Sequence, residues 1–247
     1  MNIDRLFFSV DPDVSSFAFD AKVASVFDDM LCRSIPCYEE LQQILVQFIL
    51  TYARSSGVVY DLGCSTGTTF LACFQQQVSP LLRFIGIDSS EDMLTIAKKK
   101  LKPYLSQVAF MPHDLNHYVD FKPASVVVLN LTLQFLGYDC RQRLLQHIYR
   151  SLVPGGALLL VEKVSIIPEV LQRNFTDFHY AYKEKKGYSI REINRKEVAL
   201  KDVLLPLSVS ENETLLSKAG FVSYHSFFQY LNFWGVVAVK ELDDEKK

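Results

Sequence analysis

Three aspartates and one asparagine stand at or near the ends of short branched-apolar runs. Asp61 lies in Val58-Val59-Tyr60-Asp61-Leu62, Asp88 ends Phe84-Ile85-Gly86-Ile87-Asp88, Asp114 follows the run Val108 to Met111 after Pro112-His113, and Asn130 ends Val126-Val127-Val128-Leu129-Asn130. A carboxylate at a strand end has two oxygens that match the vicinal hydroxyls of a ribose, a role suited to Asp88. Asp114 is placed to take the amino group of an adenine, and Asp61 to face an ammonium. A nucleoside held this way carries no phosphate and needs no basic partner. Taken singly, Asp88 reads as the start of a helix cap, Asp114 as a turn residue and Asn130 as a strand end. Together, Asp88, Asp114 and Asn130 mark three consecutive strand ends, the edge at which open α/β sheets bind ligands.

The turn Gly63-Cys64-Ser65-Thr66-Gly67 separates the first of these strands from a helical pattern, so its backbone N–H groups can face a ligand without interference from a Cβ. Two other chemistries share this stretch. The dinucleotide fingerprint G-x-G-x-x-G fails because residue 65 is serine. Residues 63 to 67 do satisfy G-x-S-x-G, which would make Ser65 a nucleophile served by one of His113, His117, His147, His179 or His225. Chain order opposes that reading, since two helices and no convincing strand precede Val58. His113, Asp114 and His117 have a spacing a metal could use, but they follow a strand in a turn, and no metal is expected.

Positioning these groups requires a parallel sheet. Amphipathic stretches from Phe17 to Cys32 and from Tyr38 to Tyr52, broken at Arg33-Ser34-Ile35-Pro36, predict two side helices. Strand and helix patterns then alternate: helix 68–77, a helix running from the Ser89-Ser90-Glu91-Asp92 cap to about Lys102, and helix 141–152, with strand 157–162 following the turn Pro154-Gly155-Gly156. Nearly continuous Val, Ile and Leu in the strands predicts cover on both faces and an α/β class. Residues 166 to 201 break the alternation and read as a helical cover. A helix at 212–219 and a close antiparallel pair, 221–228 and 231–239, end the pattern, for six or seven strands. One domain spanning 1–247 is expected, with 17–54 and 165–201 as helical covers.

The composition agrees. The chain has 247 residues, 49% of them apolar, and 26 Lys+Arg against 28 Asp+Glu for a net charge of −2. That charge lacks the basic surplus that direct nucleic-acid binding calls for and favours a small-molecule partner. Five cysteines without a C-x-x-C pair suggest reduced thiols in a cytoplasm. A basic start followed by an apolar leader is absent, Asp11 and Asp13 following soon after Phe8, and no apolar run approaches membrane length. The tail Asp243 to Lys247 reads as a solvated end.

Residues 59 to 65 (Val-Tyr-Asp-Leu-Gly-Cys-Ser), Gly86-Ile87-Asp88-Ser89, Val128-Leu129-Asn130 and Pro154-Gly155-Gly156 resemble the class I S-adenosylmethionine-dependent methyltransferases. Phe27-Asp28-Asp29-Met30, Arg33-Ser34-Ile35-Pro36, Tyr38, the run Asn130 to Leu136, Glu162-Lys163, Gly187-Tyr188-Ser189 and Gln229 to Phe233 are similar to one branch, the carboxy-S-adenosyl-L-methionine synthases. That resemblance spans nearly the whole chain. It implies a Rossmann-like fold: a seven-stranded, mostly parallel sheet with a final antiparallel strand. It also implies a homodimer that converts S-adenosylmethionine and prephenate into carboxy-S-adenosylmethionine and phenylpyruvate for tRNA wobble-uridine modification, while a separate enzyme touches the tRNA. The implied cofactor contacts are Tyr38, Gly63, Cys64, Ser65, Asp88, Ser89, Asp114, Leu115 and Asn130. Prephenate would supply both carboxyl and base, so no catalytic side chain is named, although Tyr38 could orient the transferred group.

One position departs from the branch. Its members carry an arginine that reaches across the dimer to the added carboxylate, and ungapped alignment puts Glu197 there. Arg195 or Lys196 could restore a cation if the helix slipped by one residue; otherwise Arg195-Lys196-Glu197 reads as a solvated charge run. With Glu197 in that place, the alternative is an ordinary S-adenosylmethionine-dependent methyltransferase of a small molecule.

Overall fold

A computed structural model describes residues 3–8 and 17–242; Asp11, Asp13 and the tail from Asp243 lie outside the described residues. The first helix, α1 (Ala21–Ser34), starts later than its apolar pattern because Asp20 caps it, its side chain accepting from the Val23 N–H at 2.9 Å. The α2 helix (Tyr38–Tyr52) follows Pro36 and begins as expected. Then come β1 (Val58–Leu62), α3 (Thr68–Phe74), β2 (Arg83–Asp88), α4 (Glu91–Lys100), β3 (Val108–Pro112), β4 (Ala124–Asn130) and α5 (Tyr138–Ser151). The chain continues through β5 (Leu152–Lys163), α6 (Glu169–Lys185), α7 (Ile190–Leu200), α8 (Val209–Ala219), β6 (Ser223–Tyr230) and β7 (Phe233–Val239).

The seven strands form one sheet in the order β3-β2-β1-β4-β5-β7-β6. Neighbours from β3 to β5 pair in parallel, and β7 runs antiparallel between β5 and β6. The order reverses at β1, whose two neighbours lie forward in sequence on opposite sides, so the crevice above its C-terminal end is a topological switch point. The interior of β4 and the stretch Gly156–Glu162 of β5 are buried throughout, as the unbroken Val and Leu runs require.

Pro154-Gly155-Gly156 is not a turn before the strand. The strand runs through it from Leu152, with the register against β4 shifting between Ala124/Leu152 and Val126/Ala157. The Gly155 N–H donates to the Lys240 carbonyl and the Lys240 N–H to the Gly156 carbonyl, both at 2.9 Å, so backbone pairing continues past the bulge. The cover forms as two helices, α6 and α7, with a Ser189–Glu192 capping box opening α7.

Candidate active site

All nine sequence-predicted contacts line one cavity of about 410 Å³ above the C-terminal ends of β1, β2 and β4, and α1, α6 and α7 wall its other side. That volume lies within the usual range for small-molecule sites.

The glycine turn is shaped by close approach. Gly63 has φ +76°, and a Cβ there would come within 2.4 Å of Thr132 Oγ1, so side chains are excluded on conformational and steric grounds. Ser65 also has a left-handed backbone, φ 47°. Its N–H donates to Asp88 Oδ2 at 2.9 Å while the Ser90 N–H donates to Oδ1 at 2.9 Å. Asp88 therefore fixes both the turn and the start of α4, yet Ser90 itself is the helix cap, with its Oγ accepting from Met93. Each Asp88 oxygen keeps acceptor capacity toward the cavity. Ser65 Oγ lies 3.4 Å from the Gly63 carbonyl oxygen and has no histidine partner, which removes the nucleophile reading. Cys64 is buried, its sulfur directly beneath Gly86, where a Cβ would sit 2.8 Å away. Burial, then the charges of Asp61 and Asp88, push its thiol up, so Cys64 acts by size rather than reactivity.

Asp61 is 2% exposed, and burial with the nearby charge of Asp88 raises its pKa to about 7. Burial also raises Asp88, against the two backbone N–H groups that lower it. Asn130 presents a buried Oδ1 without a hydrogen-bond partner, the kind of orphan acceptor a bound donor would satisfy. Asp114 spends Oδ1 on an Asx turn, accepting from the backbone N–H and the side-chain amide of Asn116, both at 2.9 Å. Its exposed Oδ2 lies 3.8 Å from His117 Nε2. Leu115 and Ser89 complete this end. Tyr38 lies at the first turn of α2, buried, with its oxygen accepting from Gln42 Nε2 at 2.9 Å, so its own O–H remains available to the cavity.

A second anchor escaped the sequence reading. Asp28 of α1 accepts from Thr66 Oγ1 at 2.5 Å, Thr68 Oγ1 at 3.0 Å and Lys100 Nζ at 2.7 Å. Burial pushes its carboxyl up, but Lys100 and the two hydroxyls outweigh that and hold it low. The cover helix is thereby tied to the binding turn.

The opposite wall is basic. Lys163 at the end of β5, Lys183 on α6 and Lys196 on α7 line the same cavity, with the buried His179 among them. Burial and neighbouring lysines lower Lys183 to about 7 and Lys196 to about 8, and burial lowers Lys163. Burial and the three lysines push His179 to about 3, leaving it neutral, and its Nε2 lies 2.7 Å from the Ser34 carbonyl. Lys196 lines the cavity and so does not belong to a solvated charge run. Arg195 points elsewhere, donating to the Phe7 carbonyl at 2.9 Å. Glu197 is exposed and accepts a short hydrogen bond from the Tyr180 hydroxyl.

The stretch 59–156 matches the family model described as a methyltransferase domain. A carboxy-S-adenosyl-L-methionine synthase from Helicobacter hepaticus is 42% identical over 91% of this chain and 95% of its own length. One from Desulfotalea psychrophila is 38% identical over 96% and 97%. Human N-acetylserotonin methyltransferase, solved with S-adenosylmethionine, superposes with TM-score 0.57 at 16% identity, over 90% of this chain and 55% of that one. An O-methyltransferase family protein from Burkholderia thailandensis gives TM-score 0.63 at 17% identity, over 91% and 61%. These two likenesses show the fold. Among the described residues no helix is long and apolar enough to cross a membrane. With the strand-end acids, the glycine turn and this near full-length similarity in one molecule, the chain belongs to the carboxy-S-adenosyl-L-methionine synthase family, enzymes built on the S-adenosylmethionine-dependent methyltransferase fold.

Proposed function

We propose that the protein makes carboxy-S-adenosylmethionine from S-adenosylmethionine and prephenate, releasing phenylpyruvate, and so supplies the carboxymethyl donor for tRNA wobble-uridine modification. The observation that carries this reading is the cavity's two-ended charge: acceptors at the tips of β1, β2 and β4, and ammonium groups on the facing wall. A cationic donor and an anionic second substrate fit opposite ends of such a space. In this reading Asp88 takes the ribose hydroxyls, Asp114 and Leu115 the adenine, Asp61 and Asn130 the ammonium, and Gly63, Cys64, Ser65 and Ser89 shape the floor. Tyr38 orients the transferred group.

The reaction balances without a protein-borne acid or base. Prephenate loses carbon dioxide and its ring hydroxide as it becomes phenylpyruvate; the hydroxide takes a proton from the sulfonium methyl to give water; the methyl carbon bonds the carboxyl carbon. The protein's part is alignment and exclusion of water. Mass spectrometry of ligand extracted from purified protein, followed by incubation with prephenate, tests the reading: carboxy-S-adenosylmethionine and phenylpyruvate are expected. Unmodified S-adenosylmethionine alone, with no phenylpyruvate, would instead favour an ordinary methyltransferase.

Asp61 supplies a second expected result. Its carboxyl titrates near 7, and a bound ammonium requires the ionised form. S-adenosylmethionine affinity should therefore weaken as pH falls below 7, approaching about tenfold per pH unit. Calorimetry across this range checks the slope, and Asp61→Asn should flatten it while weakening binding at pH 7.

A single domain and a cytoplasmic setting belong to the same reading, as does the absence of direct nucleic-acid contact, which the near-neutral charge supports. A homodimer is supported by an exposed apolar stripe: Val170, Leu171 and Phe178 share a face of α6, and Ile167 stands just before its start.

A further inference from the structure

We infer that Lys163, Lys183 and Lys196 form an anion site within each chain that holds the carboxylates of the second substrate, rather than the amino-acid carboxylate of the nucleoside donor. The inference rests on the two-substrate reading above and assigns its second half to residues.

Three elements distant in sequence each deliver one ammonium to the same wall, β5 by Lys163, α6 by Lys183 and α7 by Lys196. They are mutually close, since the charges of Lys163 and Lys196 bear on Lys183 and that of Lys163 on Lys196. Among the described residues none of the three has an ion-pair partner within 4.0 Å. Among the described residues, Lys196 Nζ meets the Ser34 hydroxyl at 3.3 Å, and Lys183 Nζ the face of Tyr180, 5.7 Å from the ring centre. The charges of Asp4 on Lys196 and of Glu197 on Lys163 and Lys183 offset part of the repulsion from outside ion-pair distance. Gathering like charges in a half-buried space with no counter-ion in contact is still costly, and a bound anion recovers that cost. The neutral His179 leaves the lysines as the donors of charge at this end.

Position and number select the ligand. The sheet order places β1 and β4 between β2 and β5, so Asp88 and Lys163 stand three strand spacings apart, about 14 Å. Only a few bonds separate a ribose hydroxyl from the sulfonium methyl, so a ribose on Asp88 leaves the methyl short of the lysines. Three ammonium groups also exceed what the donor's one carboxylate calls for, whereas a dicarboxylate occupies them. Glu197 sits on the outer side, where its charge favours the protonated forms of Lys163 and Lys183. It therefore supports the site from behind.

The test uses the full-length protein saturated with S-adenosylmethionine, with prephenate as substrate and malonate as an unreactive dicarboxylate probe. Lys183→Met and Lys196→Met should each raise the prephenate KM and the malonate inhibition constant about 10- to 100-fold, the loss of one charge-assisted hydrogen bond. The S-adenosylmethionine Kd, measured by calorimetry and serving as the fold control, should stay within about twofold. Lys183→Arg should restore part of the affinity. Weakened S-adenosylmethionine binding with an unchanged prephenate KM would assign the lysines to the donor's own carboxylate and overturn the inference, as would no change in any of these constants. If the parent protein formed no phenylpyruvate yet bound malonate through these lysines, the carboxylation reading would fail and the anion site would stand.

Discussion

Replacing Asp88 with alanine should weaken S-adenosylmethionine binding by at least about 100-fold. The carboxylate has two tasks. It receives the Ser65 and Ser90 N–H groups, each at 2.9 Å, which holds the turn on β1 in its left-handed conformation and sets the start of α4. It also presents its remaining lone pairs to the ribose. A hydrogen bond to a charged group contributes about 1.5–3 kcal/mol, so losing two toward the ligand corresponds to roughly 3–6 kcal/mol, and the loosened turn adds to it. Asp88→Asn retains the shape and one acceptor oxygen, and should fall between the parent and Asp88→Ala. Calorimetric titration reads both, with circular dichroism to show that the sheet persists. An Asp88→Ala protein binding within threefold of the parent would place the ribose elsewhere.

Arg141→Met should cost the fold about 3–5 kcal/mol, the range for breaking a buried charge network from one side. Arg141 on α5 is 1% exposed and donates to three carbonyls: Leu136 at 3.1 Å, Gln134 at 3.3 Å and Leu205 at 2.7 Å. Glu162 on β5 holds the same loop from the other side, accepting from the Leu133 N–H at 2.9 Å and the Gln134 N–H at 2.7 Å. Burial raises Glu162 to about 8 against those N–H groups and the charge of Arg141, and removing Arg141 would raise it further. Methionine fills much of the space but takes a donor from three carbonyls, of which Gln134 keeps the Leu205 N–H at 2.8 Å. For a chain this size, each kcal/mol moves Tm by about 2–4 °C, so a drop of roughly 6–20 °C is expected in a thermal melt. Gln134 and Leu136 also line the cavity, so substrate affinity should fall in the same variant. Arg141→Lys keeps the charge without the planar fork and should recover part of the loss. A melt unchanged by Arg141→Met would show that the loop is held by Glu162 alone.

Much of the nucleoside end was legible because strand ends and glycine turns are local features. Asp88 could be placed from its own run and the Ser90 cap after it, and Gly63 from the run before it. Element boundaries slipped where a side chain overrode periodicity, as at Asp20, or where backbone pairing carried a strand through glycines, as at Gly155 and Gly156. The anchor made by Asp28 was hidden for another reason: its partners, Thr66, Thr68 and Lys100, lie 38 to 72 residues away in sequence.

The sequence by itself determined the parallel sheet, since its strands are too apolar to face water and too far apart to pair as hairpins, and with it the line of polar residues at the strand ends. It also carried the family resemblance. Only the tertiary structure decided the basic wall. Lys196 belongs to a charge run that reads as solvated, Lys183 falls in a stretch that reads only as helical cover, and Lys163 ends a strand whose direction of approach depends on α6 and α7 folding back over it. Each lysine alone is an ordinary surface cation. Charges act through space rather than along the chain, so their meaning appears only when three elements bring them to one cavity and leave them unpaired there.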